Sequence, residues 1–302
     1  MRGTVRPISL ARKLVIDLMH ASVPLVVVRR TMKLERLVAA RALKAARPGW
    51  SAIIAKAFCI VARDEPWLRT FYLKWPWPHF YEVPKSVAMV AIVRDDIDED
   101  AIVMLKIGAA DELSLADVQA CIRDGKNAAL DHVPSIKRAL RVTRWPLPLR
   151  RVAWAVGLNI GRQRANYFGT FGITSIASRG SENVVAHAPG PNLISYGLVR
   201  ADHTMELLFH WDHRICDGIL IARALQRLED VLNTVIADEL LVNEEVVVRL
   251  TLSALVVVGI EGRANGDGPH IEIFRAVARE QQAHIKTGEP EVTVGVPQEL
   301  AH

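Results

Sequence analysis

The chain has 302 residues, half of them hydrophobic, and 38 Lys and Arg against 33 Asp and Glu give it a net charge of +5. That length allows one large domain or two small ones with a sizeable core, and so mild a charge suits small anionic ligands without calling for nucleic acid. Cys59, Cys121 and Cys216 lie far apart with no C-x-x-C, which argues against a disulfide framework or a zinc site, leaves no metal expected, and fits a reducing cytoplasm.

The N-terminus carries Arg2, Arg6, Arg12 and Lys13 without the apolar stretch that a secretory leader needs. No apolar run in the chain reaches a membrane-spanning length. Residues 7–20 read as a basic amphipathic helix and residues 23–28 as a buried strand. Residues 31–46 read as a helix whose apolar stripe is Leu34, Leu37, Val38 and Leu43. Pro48-Gly49 is a break before a helix over 50–63, on which Cys59 is a core residue. The stretch 70–83 is dense in aromatics and prolines: an edge hairpin with a packed aromatic cluster, or the apolar wall of a pocket. Residues 87–93 and 101–107 are two strands across the acidic turn 95–100. A helix over 113–129 starts with Ser114 and Asp117 in capping positions.

Residues 132–168 carry Lys137, Arg138, Arg141, Arg144, Arg150, Arg151, Arg162 and Arg164 and no acidic residue, with Trp145, Trp154 and Tyr167 interleaved. A solvated basic face is one reading. A basic helix lying on anionic lipid is another. Pro146 and Pro148 count against it because they limit a long helix in the middle, so no membrane contact is expected. Next come the run 169–180 (GTFGITSIASRG) and two strands over 192–200 and 204–209, separated by the turn 201–203. Residues 243–260 are Val- and Leu-rich and read as strand or short helix, 264–268 is a loop, and 271–285 is a helix.

The chemistry gathers at Asp212-His213-Arg214-Ile215-Cys216-Asp217-Gly218. Asp217-Gly218 is a turn signal, and after it Ile221, Leu225, Leu228 and Leu232 recur at helical spacing. The local order is strand, tight turn, helix, with His213 at the strand's end and Asp217 at the helix's start. A histidine side chain titrates near neutrality, so it can take a proton from a thiol or hydroxyl and return it. Asp217 either holds the loop in shape or is simply an N-cap. Cys216 beside His213 offers a rival nucleophile.

This run looks like the D-H-R-x-x-D-G signature of the dihydrolipoamide acyltransferases, the cores of 2-oxoacid dehydrogenase complexes, which resemble chloramphenicol acetyltransferase. The segment 169–177 resembles their G-T-F-T-I-S-N-L-G and precedes the signature in the expected order. The resemblance covers residues 7–240. It implies an α/β fold, a chloramphenicol acetyltransferase-like sandwich of mixed β-sheet and helices, with a catalytic domain over 1–240 and an extension of unassigned role over 241–302. It also implies that His213 is the general base. The family's oxyanion-donating serine falls on Thr174, with Ser175 as a fallback donor.

Further expectations follow from the resemblance. Subunits form homotrimers or multiples of trimers, with His213 of one subunit facing Thr174 of its neighbour and acyl-CoA as substrate. Arg150, Arg151, Arg162 and Arg164 become a landing site for the phosphates of coenzyme A, since guanidinium forks suit phosphate. The family's lipoyl and subunit-binding domains have no counterpart in these residues, so no bound lipoyl group is expected. The acceptor is then a separate lipoyl carrier or another thiol or hydroxyl. The expected function is CoA-dependent acyl transfer. The alternatives are a non-catalytic trimeric scaffold and a lipid-surface protein acting through 132–168.

Overall fold

Met205, Leu207 and Phe209 turn inward at every second position of a nine-residue strand, and burial then becomes continuous from Phe209 to Asp212. The sheet is assembled around that strand. The computed structural model describes residues 25–94, 96–97, 101–177 and 188–242, together with Leu10 and Lys13. The chain divides into two units after Leu241, and the described residues belong to the first, save Val242. The helix expected over 7–20, the elements expected over 243–285 and most of the acidic turn 95–100 lie outside the described residues.

In chain order the strands are β1 (Leu25–Lys33), β2 (Thr70–Leu73), β3 (His79–Glu82), β4 (Val87–Arg94), β5 (Ala101–Gly108), β6 (Phe171–Thr174), β7 (Asn192–Val199) and β8 (Thr204–Asp212). The α-helices are α1 (Glu35–Ala42), α2 (Trp50–Asp64), α3 (Leu115–Asn127), α4 (Pro134–Thr143), α5 (Leu147–Asn159), α6 (Gly161–Phe168) and α7 (Gly218–Val231). Six strands form one mixed sheet in the order β1-β8-β7-β6-β4-β5, while β2 and β3 pair by themselves as a hairpin. The β4–β6 and β6–β7 pairs are parallel and the other pairs antiparallel.

Helices α2, α3 and α7 cover the sheet. Every residue of α2 from Ala52 to Ala62 is buried, and Phe58 meets Phe171 at 4.4 Å and Phe209 at 5.7 Å between ring centroids. Such tilted aromatic pairs stabilise a core by about 0.5–1.5 kcal/mol beyond area burial. Cys59 is fully buried there, as its place in the apolar run implies. The expected cap also forms: Ser114 Oγ accepts from the Asp117 N–H at 3.1 Å and donates to the Asp117 carboxylate at 2.6 Å. At the other end of α3, buried Arg94 donates to the carbonyls of Gly125 and Ala128, both at 2.7 Å, which satisfies acceptors that a helix C-terminus leaves open.

Two expectations fail at the first strand. The strand expected to end at residue 28 continues to Lys33, and the helix expected from 31 begins at Glu35. β1 pairs with β8 through nine consecutive partners, and that ladder holds Thr31 to Lys33 in the strand; of the expected stripe, Leu34 and Leu37 are buried while Leu43 is exposed. Nor is the strand buried: β1 is a sheet edge with Val26 and Val27 exposed, and its Arg30 meets Glu229 at 3.0 Å. Charge on an edge strand discourages pairing with a stray strand.

The basic stretch folds as three consecutive helices, α4 to α6, ahead of β6. As expected, the two prolines keep the stretch from forming one long helix: α4 ends at Thr143, Pro146 is the N-cap of α5 and Pro148 lies in its first turn. A proline there lacks only an N–H that the helix leaves unpaired in any case. Helix α5 lies close on α6: a Cβ added to Gly157 would come within 3.4 Å of the Phe168 ring, and Trp154 stacks on Phe168 at 4.9 Å. The chain enters β6 through Gly169, whose φ of 71° and lack of room beside Met89 both require glycine.

Candidate active site

His213 sits in the short turn between β8 and α7, and the residues before it hold that turn in place. Asp212 is buried to 1% exposure. Its carboxylate accepts two hydrogen bonds from the Arg214 guanidinium, at 2.7 and 2.6 Å, and one from the Arg214 backbone N–H at 3.2 Å. This two-pronged geometry is the strong form of an ion pair, and it keeps Arg214 charged, raising its pKa further. Arg214 also lies over the Tyr72 ring at 4.5 Å. Below it, buried Arg164 donates twice to the carbonyl of Pro189 and once to that of Tyr72. Burial drives the Arg164 pKa down to about 10, with Asp212 opposing that shift and Arg214 adding to it.

The His213 ring is half exposed and lies at 30° to the Trp211 ring, with 5.6 Å between centroids. Trp211 is itself pinned, its Nε1 donating to the carbonyl of Cys216 at 3.0 Å. Nδ1 of His213 is 3.8 Å from Asp217 Oδ1, within ion-pair reach but too far for a hydrogen bond. Asp217 is at the N-cap position of α7, yet its side chain makes no cap hydrogen bond and is 85% exposed. The carboxylate is therefore available to the imidazole. Behind the turn, Ile221, Leu225, Leu228 and Leu232 are all buried and anchor the helix to the core.

Cys216 does not suit a nucleophile's role. Burial, then the carboxylates of Asp217 and Asp212, push its thiol up to about 12, so the reactive thiolate is scarce at neutral pH. Cys59 is raised to about 12 by burial as well, whereas Cys121 is exposed. Brief iodoacetamide treatment of the native protein near neutral pH should therefore label Cys121 well ahead of Cys216 and Cys59. Peptide mass spectrometry reads this out, and early labelling of Cys216 would restore it as a rival nucleophile.

Thr174 ends β6, far from His213 in the same chain. It pairs with Ser195 on β7, and Ser195 pairs with Leu208 on β8, five residues before His213. With the strand rise and spacing of a sheet, that separates the two side chains by about 15–20 Å. Ser175 donates its hydroxyl to the Tyr196 carbonyl at 2.8 Å and accepts from the Ala177 N–H at 3.3 Å. Its hydroxyl is thus committed to shaping the strand's exit.

The four arginines expected to meet phosphate do not form one surface. Arg164 departs from that expectation, being buried with its donors engaged by backbone carbonyls. Arg150, partly buried on α5, donates to the Thr143 carbonyl at 3.3 Å. Arg151 and Arg162 are exposed. Sequence reasoning missed Tyr72 as a support of Arg214. The signal was the aromatic density of 70–83, which splits on folding: Phe71 is buried, Tyr72 reaches the site, and Trp75, Trp77 and Phe80 stay exposed instead of forming a packed cluster.

The fold is that of the catalytic cores of dihydrolipoamide acyltransferases. Among solved structures, a probable dihydrolipoamide acetyltransferase of Listeria monocytogenes superimposes with a TM-score of 0.55 at 18% identity, covering 76% of this chain and 94% of that one. The truncated catalytic core of the 2-oxoacid dehydrogenase multienzyme complex of Thermoplasma acidophilum does so with a TM-score of 0.54 at 17% identity, over 77% and 99%. The dihydrolipoamide acetyltransferase of Azotobacter vinelandii, studied for the role of a serine, a histidine and an asparagine in its catalytic mechanism, gives 0.54 and 17% over 78% and 93%. At these identities the likeness is one of fold. No protein-family model matches the sequence, and no curated protein matches it.

Proposed function

We propose that the chain is an acyltransferase that moves an acyl group from a coenzyme A thioester to a thiol or hydroxyl acceptor. The observation that carries this reading is the His213 turn: a half-exposed imidazole on a base fixed by the Asp212–Arg214 pair, with a free carboxylate four residues on. In the Azotobacter vinelandii enzyme the asparagine under study likewise follows the histidine by four residues.

Nδ1 faces Asp217, so Nε2 is the nitrogen that takes the acceptor's proton. The acceptor's sulfur or oxygen then attacks the thioester carbonyl. The tetrahedral intermediate collapses by breaking the C–S bond, and the departing thiolate of coenzyme A recovers the proton from His213. Asp217 favours the imidazolium formed in between. A hydroxyl donor on the developing oxyanion lowers such a barrier by about 2.7–4 kcal/mol. Thr174 fills that role better than Ser175, whose hydroxyl is already donated. Of the four arginines, Arg151 and Arg162 are exposed and are the candidates to meet a phosphate of coenzyme A.

Since Thr174 and His213 of one chain lie about 15–20 Å apart across the sheet, the working pair comes from two copies, in a homotrimer. The test is release of coenzyme A thiol from a panel of acyl-CoA thioesters, with and without dihydrolipoamide, using chains carrying Thr174→Ala or His213→Ala. Each variant alone should be crippled. Co-refolded in equal amounts, they should regain about a quarter of the wild-type rate, because random mixing rebuilds that fraction of two-chain sites. No recovery from a properly assembled mixture would refute the shared site.

A further inference from the structure

We propose that helix α5 docks on an anionic membrane surface, which would hold the enzyme at a lipid–water boundary without spanning it. Leu149, Val152 and Val156 fall within about 60° of one another on this helix at 3.6 residues per turn. They are 57%, 61% and 48% exposed, and Trp145 and Ile160, flanking the helix, are 44% and 50% exposed. The opposite side of α5 is occupied by Phe168 through Gly157 and Trp154, and the apolar stripe is the side turned towards solvent among the described residues.

Charge decides what covers it. The stripe lies in a stretch, 132–168, with eight Lys and Arg and no Asp or Glu. Arg151 is exposed on the same helix, about 100° round from Val152, the nearest residue of the stripe, and exposed Arg141 and Arg144 precede the helix. An apolar ridge flanked by arginines, with a tryptophan at its start, is the pattern of a helix lying in a bilayer interface with its cations at the headgroups. Nucleic acid would leave the valines and leucines wet. Self-docking of the same face would set arginine against arginine. The half-exposed side chains also offer far less than the roughly 800 Å² per partner that a stable dimer buries. Pro146 and Pro148 do rule out one long helix, but both lie at the start of α5 and leave its thirteen residues continuous. No described helix is long and apolar enough to cross a membrane.

The experiment is co-flotation of the full chain with vesicles of phosphatidylcholine alone and of phosphatidylcholine mixed with phosphatidylglycerol. Binding is expected on the mixed vesicles, with marked weakening at high salt. The double variant Val152→Asp/Val156→Asp should bind at least about tenfold more weakly while keeping wild-type acyl transfer to a soluble acceptor. No binding to mixed vesicles at low salt, or equal binding by the variant, would overturn the proposal. So would a smaller assembly for the variant in sedimentation without lipid, which would make the face a contact between copies. The proposal does not rest on the acyltransferase reading: flotation reads the membrane, and thiol release reads the chemistry.

Discussion

His213→Ala should lower acyl transfer by about 10²–10⁴-fold, the range for losing a positioned general base. Nothing nearby can replace it. Asp217 is highly exposed with Oδ1 on the far side of the imidazole, and burial holds the Cys216 thiol protonated. The fold should be unharmed, because the ring is half exposed and its contacts are the Trp211 face and the distant Asp217. With a thiol acceptor the residual rate should climb as pH rises, since the acceptor then ionises by itself and needs no base. That rescue separates a missing base from a damaged site. A variant within about twofold of wild type at neutral pH would remove His213 from the mechanism and favour a scaffold.

Asp212→Ala should act on both stability and activity. The substitution removes a buried carboxylate that accepts three hydrogen bonds from Arg214. It also leaves the cations of Arg214 and Arg164 without the negative charge that offsets them. Breaking a buried pair costs about 3–5 kcal/mol, and the lower end applies because Arg214 is about a third exposed. A fall in the thermal midpoint should therefore accompany loss of transfer, as the turn that aims His213 loosens. Asp212→Asn, which keeps one acceptor oxygen, should lose less of each. Unchanged melting and unchanged transfer in Asp212→Ala would mean that the pair is not what positions the histidine.

The sequence is most readable where one face of an element is buried and its period is undisturbed. The strand–turn–helix at 207–233 was legible because Leu207 and Phe209 alternate at period two and Ile221, Leu225, Leu228 and Leu232 follow at helical spacing; all are buried. β4 and β5 were legible for the same reason. β1 was legible only in its apolar first half; its continuation through Arg29 to Lys33 was not, since those residues are held by pairing with β8, some 180 residues away. The candidate site was legible as a motif: Asp212, His213, Arg214 and Asp217 are adjacent in sequence and can be found together. Its supports were not. Tyr72 and Arg164 reach the turn from elements remote in sequence, and the buried fate of Arg164 cannot be read from a run of arginines that mostly face water. The prolines marked the break between α4 and α5, but not the thirteen-residue helix that starts directly after Pro146, a boundary that periodicity leaves loose.

The distance between Thr174 and His213 within one chain has a bearing on dose. With the site shared between copies as proposed, a lone chain carries two half-sites and no whole one. Catalyst then exists only in proportion to assembled protein, so output rises more steeply than linearly with synthesis while copies are scarce. A cell making little of this chain would hold a silent reserve, and a modest increase in supply would switch it on.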